Sequence, residues 1–169
     1  MNVDELRARL AEYMENDISL KTPLIAVEVR MKDTNNTRCR YDVLLIDADG
    51  NETPVKFKDR YSRLLYIYTL MHPNGYQRRI TAANNYSALC NLYCLLYFRE
   101  SEPLLKTIEN YGLEHFFSHY IAQSRKAVRN ASPLAEPFVI DRPQAHNGKE
   151  LIPFVSHGGN VIIDASLRN

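Results

Sequence analysis

Two pairs of side chains have the spacing of a metal-binding or redox pair. His115 and His119 lie four residues apart in EHFFSH, and Cys90 and Cys94 lie four residues apart in LCNLYCLLYF. Residues at this spacing share one face of a helix, so each pair could share a metal ion. A structural zinc normally has four ligands, and the sequence offers neither HExxH nor an Asp, Glu or Cys that completes a set. We therefore expect structural or DNA-facing histidines, small buried thiols and no metal.

The acidic stretch Asp47-Ala48-Asp49-Gly50-Asn51 is similar to the start of a calcium loop, but its glycine comes too early and the closing glutamate is missing. Gly50 instead favours a tight hairpin turn, because glycine accepts the positive φ that such turns require. No glycine-rich phosphate loop is present, and no serine lies in a nucleophile-elbow context. The sequence therefore predicts a protein that is not an enzyme and needs no cofactor.

Basic residues are concentrated in two segments of a nearly neutral chain, which has 21 basic and 20 acidic residues and a net charge of +1. Residues 56–79 contain Asp59 as their one acid, and residues 116–131 contain none. The basic residues of the two segments are Lys56, Lys58, Arg60, Arg63, Arg78, Arg79, Arg125, Lys126 and Arg129. They could form one basic face that contacts nucleic-acid phosphates, or they could be ordinary solvated helix surfaces.

Hydrophobic spacing predicts a helix, then strands, then helices, then strands again. Residues 3–15 have helical spacing, whereas LIAVEVRM and RYDVLLIDADGNETPVKFK are rich in Val, Ile and Leu, as strands are. Helical spacing begins after Asp59, a candidate N-cap, resumes after Thr81, and continues through HFFSHYIAQSRKAVRN. EPFVID, ELIPFV and VIID return to the strand pattern. The order predicts an α+β fold with an N-terminal antiparallel sheet, a core of three to four helices and a C-terminal β-hairpin.

The predicted organisation is an N-terminal helix and sheet over residues 1–58 and a helical region with its hairpin over residues 59–169, expected to form one compact unit. No apolar run approaches the roughly 18 residues of a membrane span, and MNVDELRARLAEYMEN is amphipathic instead of signal-like. The three cysteines are an odd number without a dense framework, which is typical of reduced thiols. We expect a cytoplasmic protein that does not contact a membrane.

The order of elements resembles the winged-helix effector domains at the C-terminus of two-component response regulators. RYSRLLYIYTLMHPNG is similar to the first helix of that family and its turn, IAQSRKAVRN to the recognition helix, and EPFVI with GKELIPF to the wing. The resemblance covers roughly residues 40–155 and implies that a helix of about residues 115–130 enters the major groove of double-stranded DNA. The implied function is a DNA-binding transcriptional regulator with a winged helix-turn-helix.

The resemblance also assigns roles to individual residues. The residues expected at base edges are Ser118, His119, Gln123 and Lys126. Those expected at phosphates are Arg125, Arg129 and Asn130. The expected wing contacts are Arg142, His146 and Lys149. Further contacts to the DNA backbone are expected from Arg60, Arg63, Arg78 or Arg79.

Two other functions remain open from the sequence. A winged helix can serve as a protein-interaction module without binding DNA, since a fold does not determine a function. In that case the partner is another protein or a second copy of the chain. The remaining alternative is an enzyme or small-ligand binder whose site has no recognisable motif.

Overall fold

The computed structural model describes residues 2–16, 21–32, 39–141, 144–146, 149–151, 155 and 160–168. In chain order, the α-helices and strands in these ranges are α1 (Val3–Asn16), β1 (Leu24–Met31), β2 (Tyr41–Asp47), β3 (Glu52–Pro54), α2 (Arg60–Leu70), α3 (Arg78–Ala83), α4 (Ser87–Tyr97), α5 (Glu102–Tyr111), α6 (Leu113–Ala131), β4 (Gln144–His146), β5 (Lys149–Leu151) and β6 (Asn160–Ile163). Two short 3₁₀ helices cover Glu136–Phe138 and Ala165–Leu167, so the strand expected over EPFVID is wrong in its first half. Helices and a sheet occur in separate stretches of the chain, so the predicted α+β class is confirmed.

Four strands form one mixed sheet in the order β3-β2-β1-β6. The pairs β1–β2 and β2–β3 are antiparallel, as the sequence predicts for this region. Side chains alternate between the faces of a strand, and one face of this sheet places Val27, Val29, Val43 and Leu45 in the core. The turn from β2 to β3 contains Gly50 at a φ of 85°, a conformation that glycine adopts without steric cost.

The last strand, β6, joins this sheet instead of standing beside a C-terminal hairpin. It runs parallel to β1, with Val161 beside Val27 and Ile163 beside Val29. Ile163 is buried in the main core, and removing this apolar side chain from water favours the pairing. β4 and β5 do form a short antiparallel pair. The C-terminal strands thus divide between this short pair and the main sheet, so the predicted wing is not confirmed.

Helix α2 runs through the core, and its residues from Leu64 to Leu70 are all buried. It begins at the predicted N-cap, since the Asp59 carboxylate accepts a hydrogen bond of 2.7 Å from the backbone N–H of Ser62. This bond satisfies one of the N–H groups that have no partner inside the first turn of a helix.

The single helix expected after Thr81 is wrong, because the chain forms two helices, α3 and α4, in its place. Asn85 and Tyr86 between them have φ values of 55° and 56°, in the left-handed region that interrupts a right-handed helix. Thr81 lies within α3, where its hydroxyl donates to the carbonyl oxygen of Gln77 at 2.9 Å. Asparagine tolerates left-handed backbone better than most residues, so NN in the sequence marks the break.

The longest helix, α6, packs against α2 and is flanked by α3 and α5. Its buried side chains include Phe116, Phe117, Tyr120, Ile121 and Val128. This side of α6 is therefore part of the core, and any ligand must use the opposite side or its edge.

The predicted N-terminal amphipathic helix is confirmed as α1. Its side chains from Val3 to Tyr13 are all exposed. In the part of the chain that the structure describes, no helix is both long and apolar enough to cross a membrane.

Candidate functional site

A groove of about 930 Å³ lies beside the start of α2. Its walls come from the end of β1, the start of β2, the β3–α2 connection, α2, the end of α4 and one side of α6. We call it the basic groove, and its lining residues are Lys32, Cys39, Phe57, Lys58, Asp59, Arg60, Tyr61, Arg63, Tyr97, Arg99 and Tyr120. Five of them are cationic and one is acidic, a strong local excess in a chain whose net charge is +1.

The acidic residue of this lining, Asp59, is the N-cap of α2. Its carboxylate accepts from the Ser62 N–H, and its backbone carbonyl accepts from the Ser62 hydroxyl at 3.1 Å. The beginning of a helix also carries partial positive charge from its backbone N–H groups. Asp59 offsets part of that charge, so it opposes the groove cations less than a carboxylate without these contacts would.

Two arginines of the groove are held in place by neutral partners. The Arg60 guanidinium donates to the Tyr93 hydroxyl at 3.1 Å, and this hydrogen bond raises the pKa of Arg60 above its usual value. Arg63 donates to the backbone carbonyl of Tyr41 at 3.2 Å and lies 5.5 Å from the ring centroid of Phe57. Because none of these partners carries a negative charge, both arginines keep their positive charge available to a ligand.

The other three cations differ in their surroundings. Lys32 forms an ion pair with Asp42 at 2.9 Å. Lys58 and Arg99 are exposed, and neither forms an ion pair with a residue that the structure describes. An anionic ligand can therefore contact Lys58 and Arg99 without displacing a carboxylate of the described chain.

Three tyrosines, Tyr61, Tyr97 and Tyr120, line the groove together with Cys39 and Phe57. Burial raises the pKa of Tyr97 above its usual range, and its hydroxyl donates to the backbone carbonyl of Arg60 at 2.8 Å. Burial, followed by a hydrogen bond with Tyr111, raises the pKa of Tyr120 to about 12. Neutral phenols do not repel an anion, so the aromatic wall is compatible with the basic one.

The structure places the predicted α6 contacts on the solvent side of that helix, but two of its three cations have partners within the chain. Ser118, His119, Lys126 and Asn130 are exposed, and Gln123 is half-buried. Arg125 donates to the carbonyl oxygens of Ile140 and Asp141 at 2.7 and 2.6 Å. Arg129 donates two hydrogen bonds to the Glu136 carboxylate at 3.0 and 2.9 Å. Lys126 is therefore the α6 cation best placed to meet phosphate.

Of the predicted wing contacts, only His146 and Lys149 lie in the described part of the chain. Arg142 lies outside the described residues. His146 and Lys149 are opposite each other in the β4–β5 pair, which fixes their backbone positions, while their side chains lie outside the description.

The four arginines before α4 that were expected to contact the DNA backbone fall into two groups, inside and outside the groove. Arg60 and Arg63 line the basic groove, as described above. Arg78 is buried with 7% of its surface exposed and pairs with Glu114, so its charge acts inside the fold. Arg79 is exposed on α3 and does not line the groove.

Lys32, Arg99 and the tyrosines of the groove are not among the site residues that the sequence predicts. A count of charges along the chain cannot show that the end of α4 lies beside the start of α2. Tertiary packing brings them together, as the hydrogen bond from Tyr97 to the Arg60 carbonyl shows. Of the five groove cations, only Lys58, Arg60 and Arg63 belong to a segment that the sequence indicates as basic.

The histidine and cysteine pairs lie outside this groove. The rings of His115 and His119 are 5.9 Å apart and stack with Tyr111 on the surface. Cys90 and Cys94 are half-buried, and burial raises the pKa of the Cys90 thiol. Within the described ranges, no three His, Cys, Asp or Glu side chains are grouped to hold a metal ion. The expectation of a metal-free protein stays a prediction.

A second hollow, of about 550 Å³, lies between α2, α3 and α4. Its lining residues are Tyr68, Thr81, Ala83, Asn84, Asn85, Ser87 and Ala88, and none of these side chains is charged at neutral pH. It lacks the charge that makes the basic groove the stronger candidate.

Comparison of the chain with models of protein families, with curated protein sequences and with solved structures finds no match. The resemblance to winged-helix effector domains therefore stays a prediction. The charge and geometry of the basic groove are the basis of the functional proposal.

Proposed function

We propose that this protein binds nucleic acid and that the basic groove holds part of the phosphate backbone. The observation that supports this proposal is the convergence of five cationic side chains with a single, already engaged carboxylate. Phosphate contacts by Lys and Arg supply most of the affinity of proteins for nucleic acids without regard to sequence. A local cluster serves this purpose as well as a large net charge does.

The distribution of the cations favours a chain of phosphates over a single anion. Lys32, Arg60 and Arg99 belong to three different parts of the fold, so positive charge lines the groove from several sides. The volume of about 930 Å³ lies within the range of ordinary small-molecule pockets, about 300 to 1,000 Å³, so the spread of the cations and not the size of the groove favours a chain of phosphates.

The narrower proposal, a transcriptional regulator that reads duplex DNA with α6, has weaker support. Lys126, His119 and Ser118 remain exposed on that helix and could reach base edges. Arg125 and Arg129, however, would have to exchange their hydrogen bonds within the chain for phosphate contacts. We therefore assign the main electrostatic contact to the basic groove and not to α6.

The test compares two double variants with the same change in net charge. Lys58→Glu/Arg99→Glu reverses the two groove cations without ion-pair partners, and Arg79→Glu/Lys126→Glu reverses two exposed cations on α3 and α6. Fluorescence anisotropy with labelled single-stranded and duplex oligonucleotides, at about 50 mM salt, measures binding. We expect the groove variant to bind at least about tenfold more weakly because it loses phosphate contacts and gains repulsion.

The matched α3–α6 variant decides the location of the site. Under the groove proposal it retains affinity close to that of the wild type. Loss of binding in the α3–α6 variant, with the groove variant unaffected, would restore α6 as the recognition helix. Absence of wild-type binding to every oligonucleotide would refute the proposed function.

A protein-interaction role is the second candidate, and the exposed apolar side of α1 favours it. Val3, Leu6, Leu10 and Tyr13 recur at helical spacing, and each is more than half exposed. Contiguous exposed apolar side chains commonly mark an interface. Sedimentation velocity over a range of concentrations tests self-association: we expect the wild type to associate and Leu6→Ser/Leu10→Ser to remain monomeric. A monomeric wild type throughout would leave this candidate without support.

A further inference from the structure

Phe98, next to Arg99 of the basic groove, is unusually exposed for a phenylalanine. It follows the last residue of α4, and 73% of its surface is accessible to solvent. Its φ of 54° lies in the left-handed region, which is strained for a bulky side chain. This apolar ring is thus accessible for contact with a ligand, and its burial in a complex would be favourable.

Arg40 covers one face of the Phe98 ring. The centre of its guanidinium lies 3.9 Å from the ring centroid, a close cation–π contact. A backbone hydrogen bond of 2.8 Å from the N–H of Arg40 to the carbonyl oxygen of Leu96 ties the two segments together. One side of the ring therefore contacts Arg40, while the high exposure of Phe98 leaves the other side accessible to a ligand.

We infer that the nucleic acid bound by the basic groove is single-stranded and that one of its bases stacks on the open face of Phe98. This inference rests on the proposed function. An exposed aromatic ring beside a positively charged groove is the combination that binds unpaired strands, because every base has a face that can stack. Bases of a duplex stack on each other and do not offer a free face to a protein ring.

The position of Phe98 in the chain supports this arrangement. Arg99 lines the groove directly after it, and Cys39, directly before Arg40, also lines the groove. Phe98 and Arg40 are not lining residues themselves, so the ring lies outside the lining and one residue along the chain from it. Phenylalanine has no hydrogen-bonding group in its side chain, so we expect little preference among bases.

The experiment replaces the ring with an apolar side chain of different shape. Phe98→Leu is compared with Tyr13→Leu, which removes an aromatic side chain of nearly equal exposure, 70%, from α1. Ligands are a labelled single-stranded oligothymidylate of about 16 nucleotides, a duplex of the same length, and inorganic polyphosphate. Thermal unfolding of each variant confirms that it is folded.

We expect Phe98→Leu to weaken oligothymidylate binding by about fivefold or more, as loss of one base–aromatic stack does. Binding of duplex and polyphosphate should not change, and Tyr13→Leu should bind all three ligands as the wild type does. If the wild type binds all three ligands and Phe98→Leu changes none of them, stacking is refuted while the groove proposal stands. If the wild type binds none of them, the groove proposal itself fails.

A tryptophan variant provides an independent readout. The chain contains no Trp, so the fluorescence of Phe98→Trp reports this position alone. We expect oligothymidylate to quench the emission, duplex and polyphosphate to leave it unchanged, and affinity for the single strand to be retained. Emission that does not respond to bound oligothymidylate would overturn the stacking inference.

Discussion

Arg125 and Ile140 are joined by a hydrogen bond from the guanidinium Nε to the backbone carbonyl oxygen, 2.7 Å long. It ties the middle of α6 to the segment that follows the helix, and a second bond of 2.6 Å to the Asp141 carbonyl strengthens the link. The arginine that the sequence assigned to phosphate thus stabilises the fold.

We predict that Arg125→Ala lowers the free energy of unfolding by about 1.5 to 3 kcal/mol, the usual contribution of hydrogen bonds from a charged group. The neighbouring Lys126→Ala, on the exposed side of α6, should change it by less than about 0.5 kcal/mol. Urea unfolding of the two variants measures the difference. Equal effects would contradict a structural role for Arg125.

Tyr66 provides a second test of the core. Its side chain is fully buried, and its hydroxyl donates to the Phe138 carbonyl at 2.6 Å. Tyr66→Phe leaves that carbonyl without its partner, and we expect a loss of about 1 to 3 kcal/mol in urea unfolding. Tyr13→Phe on the surface of α1 is the control and should be neutral. A neutral Tyr66→Phe would mean that the carbonyl finds another donor.

The sequence was most informative where local chemistry determines structure. The N-cap at Asp59 and the turn at Gly50 were predicted because each depends on a few neighbouring residues. The pairing of β6 with β1 could not be predicted in this way, since an apolar strand pattern does not identify its partner. The same limit applies to the groove, where Arg99 and Lys58 line one cavity only because α4 packs near α2.

Buried tyrosines should make the protein unstable at high pH. Burial, with a hydrogen bond to Tyr111, raises the pKa of Tyr120 to about 12, and burial raises the pKa of Tyr66, Tyr76 and Tyr97 above the usual range. The unfolded chain therefore loses these protons first, near its ordinary tyrosine pKa of about 10. The stability associated with Tyr120 is complete below about pH 10 and is lost as the pH rises toward 12.

Urea unfolding at several alkaline pH values measures this loss, and tyrosinate absorbance reports the ionisation itself. We expect the free energy of unfolding to fall as the pH rises above about 10, and Tyr120→Phe to reduce the slope. A flat profile through this range would contradict the raised pKa values.

Helix α1 should be dispensable for folding of a single chain. Its exposed Leu6, Leu10 and Tyr13 contribute little to the core, so deletion of residues 2–16 should leave the free energy of unfolding close to that of the full chain at low protein concentration. Thermal and urea unfolding of the shortened chain give the answer. A large loss of stability would show that α1 packs on the remainder of the protein.

The salt dependence of single-strand binding tests the central claim most directly. In a plot of the logarithm of the binding constant against the logarithm of the salt concentration, each phosphate contact to a single strand contributes a slope of about −0.7. We predict a steep negative slope for the wild type, and a slope less negative by about 0.7 for Lys58→Ala and again for Arg99→Ala. Lys126→Ala should keep the wild-type slope. A wild-type binding constant that is indifferent to salt, or slopes that Lys58→Ala and Arg99→Ala leave unchanged, would contradict the assignment of the basic groove to phosphate.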